Sequence, residues 1–477
     1  MSPRAGRSDE NEAPSVGVVQ SVEASAPADA AALGRAAAEM SSGALSPTAV
    51  LALQRSAGNQ AAGRALAGHA PRSIQRDLLD SIGDALDMRD DEERLDAEEE
   101  LEDFRDETYA PVTDFAPSSD VGLFDATCDM RAGTMAITLK VAYNFTAGDP
   151  TQVSAGFRPA EFQWTPEEQT AWKERYMRDV SAMWSSQFTI RSIKPHWDTM
   201  TVATTVTVIE DASDPHFTLN VAKYPDDAGM VQSSICPPGF HHDAASGNCA
   251  ANTDAADESG TGALDSNDMR PEQKLDWGNP TVAIPFTEGS SGLSGAGTAA
   301  LAPIITQVAG VAGAHVEITG HASSTHRAGR SAADGAIDNM DLARARTASV
   351  RAALIAGGAT AEQILVRNAG EDGAGPEAAW CRVDAQVGTQ EMQNPGLHET
   401  GHMLGTDDEY PQTGAPAGTP VAAKYDAMIQ AQTGDVITRG RTSDAMSVGS
   451  TVRRWNYASF MEALEKMTDT SGSDWAI

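Results

Sequence analysis

Two histidines four residues apart with a glutamate beside the first, His398-Glu-Thr-Gly-His402, constrain this chain more than any other feature. On a helix, positions i and i+4 project from one face a turn apart. Both imidazoles then reach a single tetrahedral ion, and Glu399 stands beside the coordination position left open. The chain must supply that helix, a way to end it, and a third ligand. Gly405 follows His402 by three residues, where a residue free to take positive φ ends a helix and turns the chain back toward the metal. Asp408 is the candidate third ligand, with Asp407 and Glu409 flanking it as substitutes. The expected cofactor is Zn2+.

The whole string, His398-Glu-Thr-Gly-His402-Met-Leu-Gly405-Thr-Asp-Asp408, resembles the metzincin pattern HExxHxxGxxH, with an acid in the last ligand position as in the snapalysin-like branch. The resemblance implies a zinc metalloendopeptidase and a tight methionine turn beneath the metal. Ser443-Asp-Ala-Met446-Ser-Val-Gly449 lies 38 residues past Asp408 and makes Met446 the candidate. The implied chemistry has the ion polarise the scissile carbonyl and activate a water, while Glu399 accepts the water proton and passes it to the leaving amine. The implied substrate is a peptide or protein added as a strand along a sheet edge.

The upstream sequence supplies elements of the kind such a domain needs. Ile137, Leu139, Val141, Tyr143 and Phe145 alternate as a half-buried strand does. Thr165-Pro166-Glu-Glu168 reads as a capped helix start, after which Trp172, Tyr176, Val180, Met183 and Trp184 fall on one face. Strand-like runs follow at 188–193, 202–209 and 217–224.

A second unit stands between these elements and the histidine helix. Its parts are Val282-Ala-Ile-Pro-Phe286, Val316-Glu-Ile-Thr-Gly320-His321, a helix from Asn339 through Arg346 to Val350, Gly370-Glu371, and Cys381-Arg-Val-Asp384. The order is similar to the C-terminal domain of the OmpA family, with its GHTD, NxxLSxxRAxxV and RRVEI-like segments. That family binds the diaminopimelate part of peptidoglycan through an aspartate after the GHT triplet and an arginine in the helix. Arg346 matches the arginine and Asn339 begins the helix motif, but Ser323 holds the aspartate position, and a hydroxyl cannot supply the charge that pairs with an ammonium. Asp334 and Asp338, in an expected long loop at 323–338, are the substitutes.

The expected class is α/β (α+β): a metzincin-like peptidase domain split by an inserted OmpA-like βαβαβ domain. The boundaries read as a flexible tail with one short helix over 1–75, an acidic helical linker over 76–118, peptidase over 119–235, a disulfide-bearing loop over 236–274, the OmpA-like unit over 275–388 and the catalytic part over 389–477. Insertion is feasible where a module's ends lie close together.

Formal charge is −34, which excludes nucleic acid and anionic membrane as natural partners. Fourteen acids and three arginines crowd into 84–107, a run read as a solvated helix or spacer. No basic and apolar leader is visible at the start, and the most apolar stretch, 296–314, is interrupted by Pro303 and Gln307, so no membrane span is expected. Near the start, the segment Leu45-Ser-Pro-Thr-Ala-Val-Leu-Ala-Leu-Gln54-Arg-Ser-Ala-Gly-Asn59-Gln-Ala resembles the N-terminal segment of bacterial proteins associated with extracellular contractile injection systems. That resemblance implies cargo or an associated factor.

Cys236 and Cys249 enclose a short loop and form the better disulfide candidate; Cys128 with Cys381 is the second. Two disulfides imply work outside the cytosol, without a conventional signal peptide. The alternative for the first pair is a second zinc site made with His241 and His242. The main rival to an enzyme is a non-catalytic protein in which the OmpA-like unit anchors the chain to cell wall or particle and the histidine helix holds a structural ion.

Overall fold

The computed structural model describes residues 91 and 93–477 apart from 230, 232, 243–248, 253–257, 271–279, 389–391, 410–419, 441–442 and 448. The expected tail over 1–75, with its Leu45-to-Ala61 string, and the start of the acidic run lie outside the described residues. From 97 to 106 the acidic run is helical, and it is not merely solvated: Leu101 is buried in the main core, with Phe104 packed against it.

The alternation from Ile137 to Phe145 lies within a longer strand. The chain runs through β1 (Val112–Phe115), β2 (Phe124–Asp129) and β3 (Thr134–Ala147), which buries Met135, Ile137, Leu139 and Val141. Helix α1 (Pro166–Trp184) starts with the expected reciprocal cap, the Thr165 hydroxyl on the Glu168 amide and the Glu168 carboxylate on the Thr165 amide. Its Trp172, Tyr176, Val180 and Trp184 are buried; a residue such as Val180 contributes about 1.5–3 kcal/mol by leaving water. Next come β4 (Thr189–Ser192), β5 (Thr201–Glu210), β6 (Phe217–Lys223), β7 (Ser234–Cys236), the hairpin of β8 (Phe240–His242) and β9 (Cys249–Ala251), and β10 (Gly260–Asp265). In the large sheet β5, β3, β6 and β10 lie side by side and parallel, and β7 closes one edge antiparallel to β10.

The chain then builds a separate four-stranded sheet. Its elements are β11 (Val282–Pro285), α2 (Gly295–Val308), β12 (His315–His321), α3 (Ala332–Ala356), β13 (Ile364–Gly370) and β14 (Arg382–Gly388), with strand order β11-β14-β12-β13. This unit has its own core, with Ile284, Leu301, Ile318, Val350 and Val383 at its centre. The expected loop over 323–338 is shorter than the sequence suggested. The Ser331 hydroxyl caps the Asp334 amide, so α3 begins at Ala332, a turn and more before Asn339.

After the insertion come α4 (Pro395–Met403), α5 (Pro420–Thr433), α6 (Ala458–Thr468) and β15 (Trp475–Ala476), which returns to pair with β4. One apolar core draws on both sides of the insertion, from Phe124, Ile137 and Trp184 to Met403, Met446, Phe460 and Leu464. The two cores meet at α3. Met340 packs with Phe157, Phe162 and Tyr224, and Arg344 reaches Asp227 at 2.7 and 2.8 Å and Glu161 at 2.6 Å. Among the described residues, no helix is long and apolar enough to cross a membrane.

Candidate metal centre

Helix α4 is short and its ends are tightly specified. Asn394 caps the Leu397 amide, Pro395 takes the first helical position, and the Trp184 indole donates to the Leu397 carbonyl. The Tyr176 and Thr400 hydroxyls meet at 2.9 Å, so α1 fixes the helix from behind. Two glycines let sulfur approach the backbone: a Cβ on Gly401 would fall 2.2 Å from the Met446 sulfur, and one on Gly396 would fall 2.7 Å from that of Met269.

The helix ends as the sequence predicts. Gly405 adopts φ +98°, its amide donates to the His402 carbonyl, and the Thr406 amide donates to that of Gly401. The turn brings Asp408 back over the histidines. Its Oδ1 lies 3.0 Å from His398 Nε2 and 3.5 Å from His402 Nε2, and the three donor atoms all fall within 4.8 Å of one another. Asp407 instead faces Arg439, and Glu409 turns into the core, where Trp455, Asn456 and Tyr425 donate to one of its oxygens.

Both imidazoles are oriented by backbone. His398 Nδ1 lies 2.8 Å from the Ala445 carbonyl, and His402 Nδ1 lies 3.0 Å from that of Thr406. A carbonyl only accepts, so each Nδ1 carries the proton in the neutral ring and each Nε2 is left with a lone pair facing Asp408. A tetrahedral ion with bonds of about 2.0–2.1 Å sets neighbouring donors roughly 3.3 Å apart, which the two measured separations straddle. The donor set therefore fits zinc. Burial alone would lower the pKa of His402, but the Asp408, Glu399 and Asp407 carboxylates outweigh it and raise it to about 10. Burial works against the Asp408 carboxylate too, yet His402 and His398 hold its pKa far below the usual range. Without metal, a proton on His402 thus supplies positive charge at this centre.

Glu399 is 4% exposed and sits next to His398. Met446 is fully buried under Gly401, and its carbonyl accepts from the Glu409 amide at 2.7 Å, which ties the segment carrying Asp408 to the turn at 444–447. Sequence reasoning missed the part of Ala445, since a backbone carbonyl leaves no residue signature; proximity to Met446 was the one available clue.

In the inserted unit Arg346 is wholly buried, and its guanidinium donates to the carbonyls of Ser290, His321 and Thr287. Asn339 is buried as well and donates to the Ser323 carbonyl and to Glu371. Neither proposed substitute carboxylate is free: Asp338 is held bidentately by Arg330 and Asp334 by Ser331. The acid that does stand beside Ser323, through Asn339, is Glu371, which also meets His326 at 2.7 Å. Sequence reasoning placed Glu371 in the unit without giving it a role.

A model of the OmpA family matches residues 285–378. The inserted unit is an OmpA-like domain. Similar solved structures are the OmpA-like domain of FopA1 from Francisella tularensis subsp. tularensis SCHU S4 (18% identity, 24% of this chain and 75% of that one, TM-score 0.19), the peptidoglycan-associated lipoprotein from Burkholderia pseudomallei (21%, 22% and 89%, 0.19), and the C-terminal domain of Helicobacter pylori MotB (18%, 23% and 84%, 0.19). No curated protein matches the chain.

Cys236 and Cys249 form the expected disulfide. The second expected pair does not form: Cys128 and Cys381 are both free thiols. Cys128 belongs to β2 of the large sheet, whereas Cys381 is buried at the start of β14 in the OmpA-like domain, and the two sheets do not bring them together. The four-ligand alternative does not form in this state, because the two sulfurs are bonded to each other and His241 turns to Asn252.

Proposed function

We propose that the chain is a zinc-dependent endopeptidase of metzincin type. The observation that carries this reading is the arrangement of His398, His402 and Asp408 at zinc spacing, with both Nδ1 atoms anchored and a buried Glu399 adjoining. A zinc ion held by those three residues would supply a polarising charge for a carbonyl and a readily ionised water. Glu399 would take the water proton and return it to the leaving amine, and burial around it excludes competing solvent. A structural site needs four protein ligands, and three leave the position that hydrolysis requires. The antiparallel edge strand β7 packs against α4, where an extended substrate backbone would pair with it. Glu399→Gln should keep zinc and lose turnover of a protein substrate, and His402→Ala should lose both; turnover by Glu399→Gln would overturn the mechanism.

The match to the OmpA family favours a second reading over catalysis, a protein whose OmpA-like domain binds cell wall. Glu371 would replace the missing aspartate there, and Arg346 would have to exchange backbone carbonyls for ligand. Retention on purified sacculi that falls in Glu371→Gln and Arg346→Ala supports this reading; no retention removes it. The disulfide supports action outside the cytosol. Association with a contractile injection particle completes the proposal, and unchanged co-purification after deleting residues 1–75 would remove that part.

A further inference from the structure

The disulfide hairpin lies against the candidate active site. Strand β7, which carries Cys236, packs on α4, and Cys249 pairs directly across the hairpin with His242. Cys236 is wholly buried, His242 half-buried and Cys249 exposed. The two sulfurs and one imidazole nitrogen lie within 4.8 Å of one another, although the sulfurs are bonded to each other here. His242 is held on both sides, Nε2 at 2.8 Å from the Ser234 hydroxyl and Nδ1 at 3.2 Å from that of Thr261. Whichever nitrogen faces the sulfurs, a hydroxyl steadies the other, as an outer partner steadies a ligating histidine.

We infer that Cys236, Cys249 and His242 form a reduction-dependent site for a thiophilic divalent cation such as zinc, separate from the centre on α4. A dithiol reductant gives two electrons and two protons to the disulfide, becoming a disulfide itself and leaving two thiols. The thiols lose their protons as the cation binds. The sulfurs then part to roughly 3.8 Å, the edge of a tetrahedron with bonds of about 2.3 Å. The chain as first made in a reducing compartment holds this second cation, and oxidation expels it as the disulfide closes. The site does not depend on the peptidase reading.

The test uses the full chain and Co2+. One sample stays oxidised; the other is reduced with a phosphine and desalted anaerobically. Reduction should add about one cobalt per chain with thiolate-to-cobalt absorption. The absorption should persist in His398→Ala/His402→Ala, which separates failure of the catalytic centre from failure of this one. It should vanish in Cys236→Ser and Cys249→Ser. His242→Ala, which retains the disulfide for folding, should bind cobalt roughly tenfold more weakly or worse once reduced. No absorption on reduction overturns the inference. So does absorption that survives Cys236→Ser and disappears in Cys128→Ser or Cys381→Ser.

Discussion

Replacing Gly405 by alanine tests whether the turn after α4 builds the centre. The residue sits at φ +98°, and a Cβ there would fall 2.7 Å from the Pro117 ring, 2.9 Å from Ser459 Cβ and 3.3 Å from a second Pro117 carbon. A proline ring cannot swing aside as a long side chain can. The conformational cost is about 1–2 kcal/mol and overpacking adds about 1–3 kcal/mol, giving about 2–5 kcal/mol. Gly434 provides the control: it follows α5 at φ +71° with nothing within 4 Å of its would-be Cβ. Gly434→Ala should therefore cost only the conformational part, about 1–2 kcal/mol. Urea unfolding of the metal-free chain, followed by tryptophan emission, should show a midpoint about 1 M lower for Gly405→Ala and about half that shift or less for Gly434→Ala. Zinc affinity should fall roughly tenfold or more only in Gly405→Ala, because only that turn aims Asp408. Equal midpoints and equal zinc affinities in the two variants would refute the argument.

Zinc uptake at pH 7.5 should release about one proton per chain, since His402 in the metal-free fold keeps its proton up to about pH 10 and must lose it to ligate. Calorimetry in buffers of different ionisation enthalpy measures this, and no proton release would contradict the charge balance drawn for the centre. The sign for the metal-free fold follows from a raised pKa: the stabilisation from the His402 pair is full below pH 6.5 and is lost as pH rises through about 10, visible as falling urea midpoints. Arg344→Ala removes the guanidinium that half-buried Asp227 and Glu161 share at the junction between the two cores, leaving them the Asn368 side chain and the Arg158 amide, and should cost about 1.5–3 kcal/mol there. Faster hydrogen exchange at the Asn368 amide, which donates to the Asp227 carbonyl, would report it; unchanged exchange would mean the junction does not depend on that clamp.

Much of this was legible because local chemistry and global fold agree. The Thr165-Pro166-Glu168 cap, the alternation from Ile137 and the glycine after His402 each specify one conformation by themselves, and α1, β3 and the turn at Gly405 follow. The failures are long-range. Nothing in the sequence says that Cys128 and Cys381 belong to different sheets, or that Ser331 starts α3 early by outcompeting the loop expected after Ser323. Backbone acceptors such as the Ala445 carbonyl are invisible to any reading of side chains, as is the Glu371 position beside Asn339, reached just past a register shift in the pairing of β12 with β13.

The two readings of the protein differ in what they require of buried charge. Burying an ionisable group is costly unless the surroundings compensate it or a function demands it. In the OmpA-like domain the charge is already met: buried Arg346 gives hydrogen bonds to three carbonyls, and half-buried Glu371 takes them from His326 and Asn339. Ligand binding there would have to break bonds that hold the domain together. At α4, buried Glu399 and half-buried Asp408 stand beside two histidines whose Nε2 atoms point at Asp408, and a cation would relieve the crowding of carboxylates that now holds a proton on His402. A wall-binding protein would need that charge only to hold a structural ion, for which the three donors leave the site one protein ligand short. On this ground loss of His402 should change metal content and leave any retention on sacculi intact, whereas loss of Arg346 should do the reverse.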